Sequence, residues 1–245
     1  MQRMGVKRCI TSFGFHWRSR WFEVTRPLME DYAASVGCDF FVPDESYFDS
    51  WVKDHPEFDW EAHHKLCWLK IPLLSSLLDE YDEVVWIDSD VVIVGTDNVF
   101  DDMSECPISL VVHEWKPGEI PNSGVWAVRK AAKEILDTIK IDPDIAKDAV
   151  WGDAIGYDGE QSMLLKRLGC NVNSGNLYMP PSDLWDELPY KYNSVFHDRR
   201  GVKPGAVFIH GCGPDPEFVF AGIVSSGVWN VPQFVQMEQY LETRT

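Results

Sequence analysis

Positive charge is scarce in this chain. Its 245 residues carry 22 Lys+Arg against 39 Asp+Glu, a formal charge of −17. A duplex nucleic-acid binder needs a basic face for phosphates, and an anionic lipid surface selects the same sign, so neither is an expected partner. A phosphorylated small molecule stays open if a divalent cation supplies the missing charge. No stretch approaches the roughly 20 apolar residues of a membrane span. The start, "MQRMGVKRC", has basic residues but no apolar segment of signal-peptide length after them. The six cysteines include no C-x-x-C pair, which favours free buried thiols over a bonded framework. The expectation is a soluble cytoplasmic protein with no membrane span, long enough for one sizeable core, read as a single domain over residues 1–245.

What is present is an alternation of strand and helix. Residues 7–13 read as a first strand running into a polar turn. Trp21, Val24, Leu28, Tyr32 and Val36 have helical spacing over 17–36, with Gly37 as the C-cap. Residues 38–43 read as a second strand, so the chain opens β-α-β, as parallel α/β sheets do. Residues 44–61 read as irregular. A second helix is expected over 65–81, kinked or started by Pro72. "EVVWID" (83–88) is a continuous apolar run of the kind buried on both faces of a sheet. Later strands are expected at 108–115, 123–129 and 205–211, and helices at 130–140, 160–169 and 231–242.

Two carboxylates, Asp88 and Asp90, end the apolar run. Burying a carboxylate costs several kcal/mol unless something pairs with it. In open α/β sheets ligands gather at the carboxyl ends of strands, where Asp88 falls. Residues i and i+2 of a strand share a face, so both side chains are expected to converge on one hard cation, Mn²⁺ or Mg²⁺. Alternative partners are an arginine or helix caps. A third is a phosphoryl group, as in haloacid-dehalogenase-like phosphatases, whose D-x-D follows a strand and whose late acidic motif "GDAIGYD" (152–158) mimics.

Five elements in one order carry a more specific likeness. They are Trp68–Pro72, Asp88/Asp90, Asn122–Trp126, Glu160–Leu164 and His210–Gly211. The sequence resembles the GT-A fold glycosyltransferases, family 34 (galactosyl/xylosyltransferases) most and glycogenin-like family 8 next. That resemblance implies an α/β, Rossmann-like fold with a mostly parallel central sheet. It implies a nucleotide-binding half (1–95) and an acceptor-side, metal-closing half (96–245). It also implies a metal-dependent transfer of sugar, with retention, from a UDP-sugar to a glycan, lipid-linked sugar or protein.

Roles follow by resemblance. Asp88, Asp90 and His210 would ligate the metal. Thr11 and Ser12 would frame base and ribose, with Asp88 available to the ribose. Lys70 would reach the diphosphate or the donor sugar. Asn122, Ser123 and Gly124 would face the donor sugar, with Glu160 and Gln161 on its β-face, near the acceptor. Gly211 and Gly213 would let the last turn pass close to phosphate. Here Glu160 stands where the family usually has Asp. Trp115, Trp126, Trp151 and Trp185 lie near the motif loops, where sugar stacking competes with core packing, the favoured role. A non-catalytic carbohydrate- or nucleotide-sugar-binding module is the rival from another class.

Overall fold

The computed structural model describes residues 5–15, 19–56, 66–114, 119–139, 160–169, 180–195 and 198–211. The helix expected over 231–242, the acidic segment 152–158, Gly213, Trp115 and Trp151 lie outside them. The opening unit is β1 (Arg8–Thr11), α1 (Ser19–Val36) and β2 (Asp39–Phe41). Gly37, at φ +70°, closes α1. Its N–H donates to Ala34 O and that of Cys38 to Ala33 O, the paired bonds of a Schellman cap. The segment expected to be irregular holds a 3₁₀ turn (Glu45–Phe48), capped by Asp44, and α2 (Asp49–Asp54).

Pro72 starts a helix and does not kink one. A 3₁₀ turn (Cys67–Leu69) leads into α3 (Lys70–Leu77), where Pro72 is the third residue. The first N–H groups of a helix have no intrahelical acceptor, so proline loses nothing there. Then come β3 (Glu83–Ile87), all buried, β4 (Val91–Ile93), β5 (Ile108–Glu114) and β6 (Glu119–Arg129). α4 (Lys133–Leu136) is shorter than its pattern suggested. α5 (Glu160–Arg167), β7 (Trp185–Glu187) and β8 (Phe208–His210) complete the described elements.

Six strands form the main sheet in the order β2-β1-β3-β6-β5-β7, with β6 antiparallel to both its neighbours and every other pairing parallel. The mostly parallel α/β sheet is thus as expected. One face packs α3, α4 and α5 through Leu73, Ile135 and Leu164 against Trp86, Trp126 and Trp185. The other packs α1 and β8 through Met29, Tyr32 and Phe208 against Val85 and Val125. At about 1.5–3 kcal/mol per buried large apolar side chain, these two layers dominate the fold's stability. Among the described residues no helix is long and apolar enough to cross a membrane. Cys9, Cys38, Cys67 and Cys106 are free thiols.

Candidate active site

Asp88 and Asp90 converge through a turn, which corrects the expectation of a shared strand face. β3 ends at Ile87, and the Val91 N–H closes on Asp88 O at 3.0 Å. The chain thereby leaves the main sheet and enters a second, two-stranded sheet, β4 against β8. The antiparallel register there is Val91 opposite His210. His210 arrives beside the aspartates for that reason, although it lies 120 positions after Asp90. The Gly211 N–H donates to Asp90 O at 2.8 Å, pinning the end of β8 to the turn. That amide is committed to the backbone of the turn.

The three side chains form one donor cluster. Ligand atoms of Asp88, Asp90 and His210 all lie within 4.8 Å of one another. His210 Nε2 is 3.4 Å from Asp90 Oδ1 and 3.7 Å from Asp88 Oδ2. Asp90 and His210 are buried.

Backbone geometry fixes which histidine nitrogen faces them. The Gly124 N–H donates to Asn122 Oδ1 at 2.8 Å, making that atom an acceptor. Asn193 Nδ2 donates to the same oxygen at 2.8 Å, so Asn193 presents its Oδ1 to His210 Nδ1 at 2.9 Å. His210 Nδ1 therefore carries a proton, and in the neutral ring Nε2 turns its lone pair toward two carboxylates. That arrangement needs a positive charge between the three groups, which a second proton on the ring or a bound cation would supply. Two oxygens and an imidazole nitrogen suit Mn²⁺ well. Gly124 makes the arrangement possible, because a Cβ there would overlap the His210 ring.

Asn193 is the residue that sequence reasoning missed. It is fully buried, and its carbonyl accepts from His113 Nε2 at 2.8 Å. Ligand histidines are usually oriented by such a partner on the other nitrogen, and losing it costs about 10–100-fold in metal affinity. On the Mn²⁺ and UDP binding that the resemblance implies, Asn193→Ala should weaken Mn²⁺-dependent UDP binding by about that factor, by calorimetry, and leave metal-free UDP binding unchanged. An equal loss with and without metal would reduce Asn193 to a packing role.

His113 itself, desolvated by burial, has its pKa pushed down to about 3, from an ordinary 6.5. The unfolded chain therefore binds a proton that the folded one refuses. Stability from this group is complete above about pH 6.5 and falls as pH drops below it, by at most about 1.4 kcal/mol per pH unit. Urea unfolding between pH 5 and 8 should show that slope and lose this share of it in His113→Gln. Identical slopes would exclude His113 as its source.

Lys70 is the second centre of the site. Its Nζ lies 2.7 Å from Asp88 Oδ1, 2.9 Å from Glu160 Oε1 and 3.4 Å from Ser123 O. Burial lowers its pKa, but Asp88 and Glu160 outweigh burial and raise it above the ordinary lysine value. Trp86 Nε1 donates to the same Asp88 oxygen at 2.7 Å. Asp88 thus spends Oδ1 on Lys70 and Trp86, and turns Oδ2 toward His210.

Glu160 and Gln161, at the start of α5, close the circle. Ser123 Oγ donates to Glu160 Oε1 at 2.8 Å, and the Ser123 N–H to Gln161 Oε1 at 2.9 Å. Asn122 Nδ2 adds 3.3 Å to Gln161 Oε1. This works because β6 bulges. Trp126 pairs with Leu110 and Asn122 with Val111, so Ser123, Gly124 and Val125 are unpaired on the β5 side. Bulges re-aim side chains in this way next to functional sites.

Asn122, Ser123, Gly124, Glu160, Gln161, Lys70, Asp88, Asp90 and His210 are therefore brought together. Thr11 and Ser12 are fully buried, and the Thr11 hydroxyl donates to Phe41 O at 2.9 Å, tying β1 to β2. A pocket next to them, lined by Phe13, Phe15, Cys67, Lys70, Trp86 and Asp88, opens onto the same carboxylate. Trp126 and Trp185 are fully buried, as core packing requires.

Solved structures share this architecture. A glycosyltransferase involved in glycosylation of the major capsid of PBCV-1 aligns with a TM-score of 0.60 at 18% identity, over 86% of this chain and 96% of that one. The galactosyltransferase LgtC, solved with donor and acceptor sugar analogues, aligns at 0.51 and 14% identity, over 84% and 87%. Mouse xyloside xylosyltransferase 1 aligns at 0.50 and 12% identity, over 84% and 97%. No protein-family model matches the chain, and no curated protein sequence does. The chain has the GT-A glycosyltransferase fold, as its motif order implied, and not that of the phosphatase alternative.

Proposed function

We propose that this protein is a metal-dependent glycosyltransferase acting on a nucleotide-sugar, a UDP-sugar being the expected donor, with retention of anomeric configuration. The observation that carries the reading is the Asp88–Asp90–His210 cluster with Nε2 turned inward. Those residues would hold Mn²⁺ or Mg²⁺, which when bound supplies Lewis-acid neutralisation of a diphosphate leaving group. The proposal keeps the division of labour that the resemblance implies. Residues 1–95 serve the nucleotide and 96–245 close the metal site and receive the acceptor.

The chain's own groups do the rest. Lys70 pairs with Asp88 and holds Glu160 beside it. Gln161 Oε1 is committed to Ser123 and Asn122 donors, so its role is to position and stabilise developing positive charge, not to attack as a nucleophile. Glu160 Oε1 is committed to Lys70 and to the Ser123 hydroxyl, and is likewise not the nucleophile. The intact donor cluster is what separates this enzyme reading from a binding module that has lost turnover.

A thermal-shift panel of UDP-, GDP-, TDP- and CMP-sugars with and without Mn²⁺ tests it. One nucleotide should stabilise only with metal, by about 2.7 kcal/mol at a hundredfold excess over Kd. No metal-dependent stabilisation by any of them would refute the proposal. Binding without donor hydrolysis or transfer would leave the module reading standing instead.

A further inference from the structure

The polar atoms between β6 and the start of α5 are nearly all engaged. An ammonium has three N–H groups, and those of Lys70 meet Asp88 Oδ1, Glu160 Oε1 and Ser123 O. Ser123 is engaged at every polar atom. Its carbonyl accepts from Lys70, its hydroxyl donates to Glu160 Oε1 and its N–H to Gln161 Oε1. The amino group of Gln161 is the exception. Among the described residues nothing accepts a hydrogen bond from Gln161 Nε2, and in this half-buried side chain that atom reaches solvent.

Backbone atoms decide which edge of the amide is the open one. The Ser123 N–H can only donate, so the atom 2.9 Å from it is the carbonyl oxygen Oε1. Asn122 gives the same answer. Its Oδ1 accepts from the Gly124 N–H, which leaves Nδ2 as the group 3.3 Å from Gln161 Oε1. Turning Gln161 over would set its N–H groups against both of these. The bonds also run in one direction from the cluster. His210 Nδ1 donates to Asn193 Oδ1, Asn193 Nδ2 to Asn122 Oδ1, and Asn122 Nδ2 to Gln161 Oε1. Hydrogen bonds in such a series polarise and strengthen one another. The series ends in the two N–H groups of Gln161, on the same wall as Asn122 and Gly124.

A sugar hydroxyl or ring oxygen accepts from an N–H held in this way, with little ordering left to do on binding. A carbonyl oxygen in that place would call for the opposite partner, a hydroxyl proton. We infer that Gln161 reads the sugar of the nucleotide-sugar through its N–H edge, donating to a sugar oxygen, while Oε1 stays on the wall and acts on the sugar only through space. The inference rests on the glycosyltransferase reading and narrows the role of Gln161 within it.

Gln161→Glu is the test variant. One carboxylate oxygen keeps the bonds from Ser123 and Asn122, and the other sets a charged acceptor where the N–H groups stood. Calorimetry in Mn²⁺ compares UDP with UDP-glucose, UDP-galactose and UDP-xylose. The sugar nucleotide that the unaltered protein binds most tightly should lose at least about tenfold in the variant, against less than about threefold for UDP, because hydrogen-bond partners mismatched in a closed site are costly. Were the carbonyl edge the one facing the sugar, oxygen would replace oxygen and the affinity would hold. Side-chain amide NMR of the unaltered protein is the second measurement. The Gln161 Nε2 protons, assigned from the backbone, should shift with that sugar nucleotide and not with UDP. The inference is overturned if the variant keeps its affinity, or if UDP and the sugar nucleotide lose alike. It is equally overturned if the Nε2 protons ignore all three sugar nucleotides in a protein that holds Mn²⁺–UDP. Failure of the unaltered protein to bind Mn²⁺–UDP strikes the parent reading instead.

Discussion

Lys70→Met should lower folding stability by about 3–5 kcal/mol, the usual cost of stripping one partner from a buried ion pair. Methionine replaces the aliphatic stem almost without change in volume, so packing loss contributes little. What is lost is the ammonium between Asp88 Oδ1 and Glu160 Oε1, at 2.7 and 2.9 Å. Glu160 is 3% exposed and cannot turn to water, and Asp90 adds further negative charge nearby. Lys70→Arg would be no conservative rescue, because a planar fork does not replace a point charge there. Urea unfolding measures the effect. A loss below about 1 kcal/mol would mean that the carboxylates are neutral or hydrated in the native state, and that the ion pairs are not what holds them.

Asp90→Asn should cost at least about 100-fold in Mn²⁺-dependent UDP affinity, above the range seen when only an outer partner of a ligand is removed. The amide keeps the shape of the side chain, and the Asp90 backbone carbonyl still accepts from Gly211, so the turn survives. The cluster loses one of its two carboxylates. Calorimetric titration of UDP with and without Mn²⁺ separates the metal contribution from the rest. Unchanged affinity in Mn²⁺, with the variant folded, would remove Asp90 from the metal site.

Much of the fold was legible because local patterns agreed with the tertiary result. The 3.6-residue spacing from Val24 to Val36 and the glycine after it are α1 and its cap. The continuous apolar run from Val84 to Ile87 is a strand buried on both faces. Short elements were less legible. α2, β4 and β7 are too brief for a period to show, and β7 forms only because β5 offers Ile108–Leu110 as an edge to pair with.

The site divides in the same way. The sequence by itself determined the chemistry: two aspartates after a buried strand, a late histidine next to glycine, and a Glu-Gln pair opening a helix. Those side chains fix which donor atoms and which hydrogen bonds are available, whatever brings them together. Only the tertiary structure decided the geometry. The β4–β8 register set His210 against the turn. The β6 bulge aimed Ser123 and Asn122 at α5. Asn193 and Trp86 became orienting partners through contacts that no spacing encodes. A hydrogen bond across 71 residues, such as Asn193 to Asn122, depends on where a loop meets the bulged strand β6. That meeting is settled by packing on both faces of the sheet, and not by any local preference of the residues that make the bond.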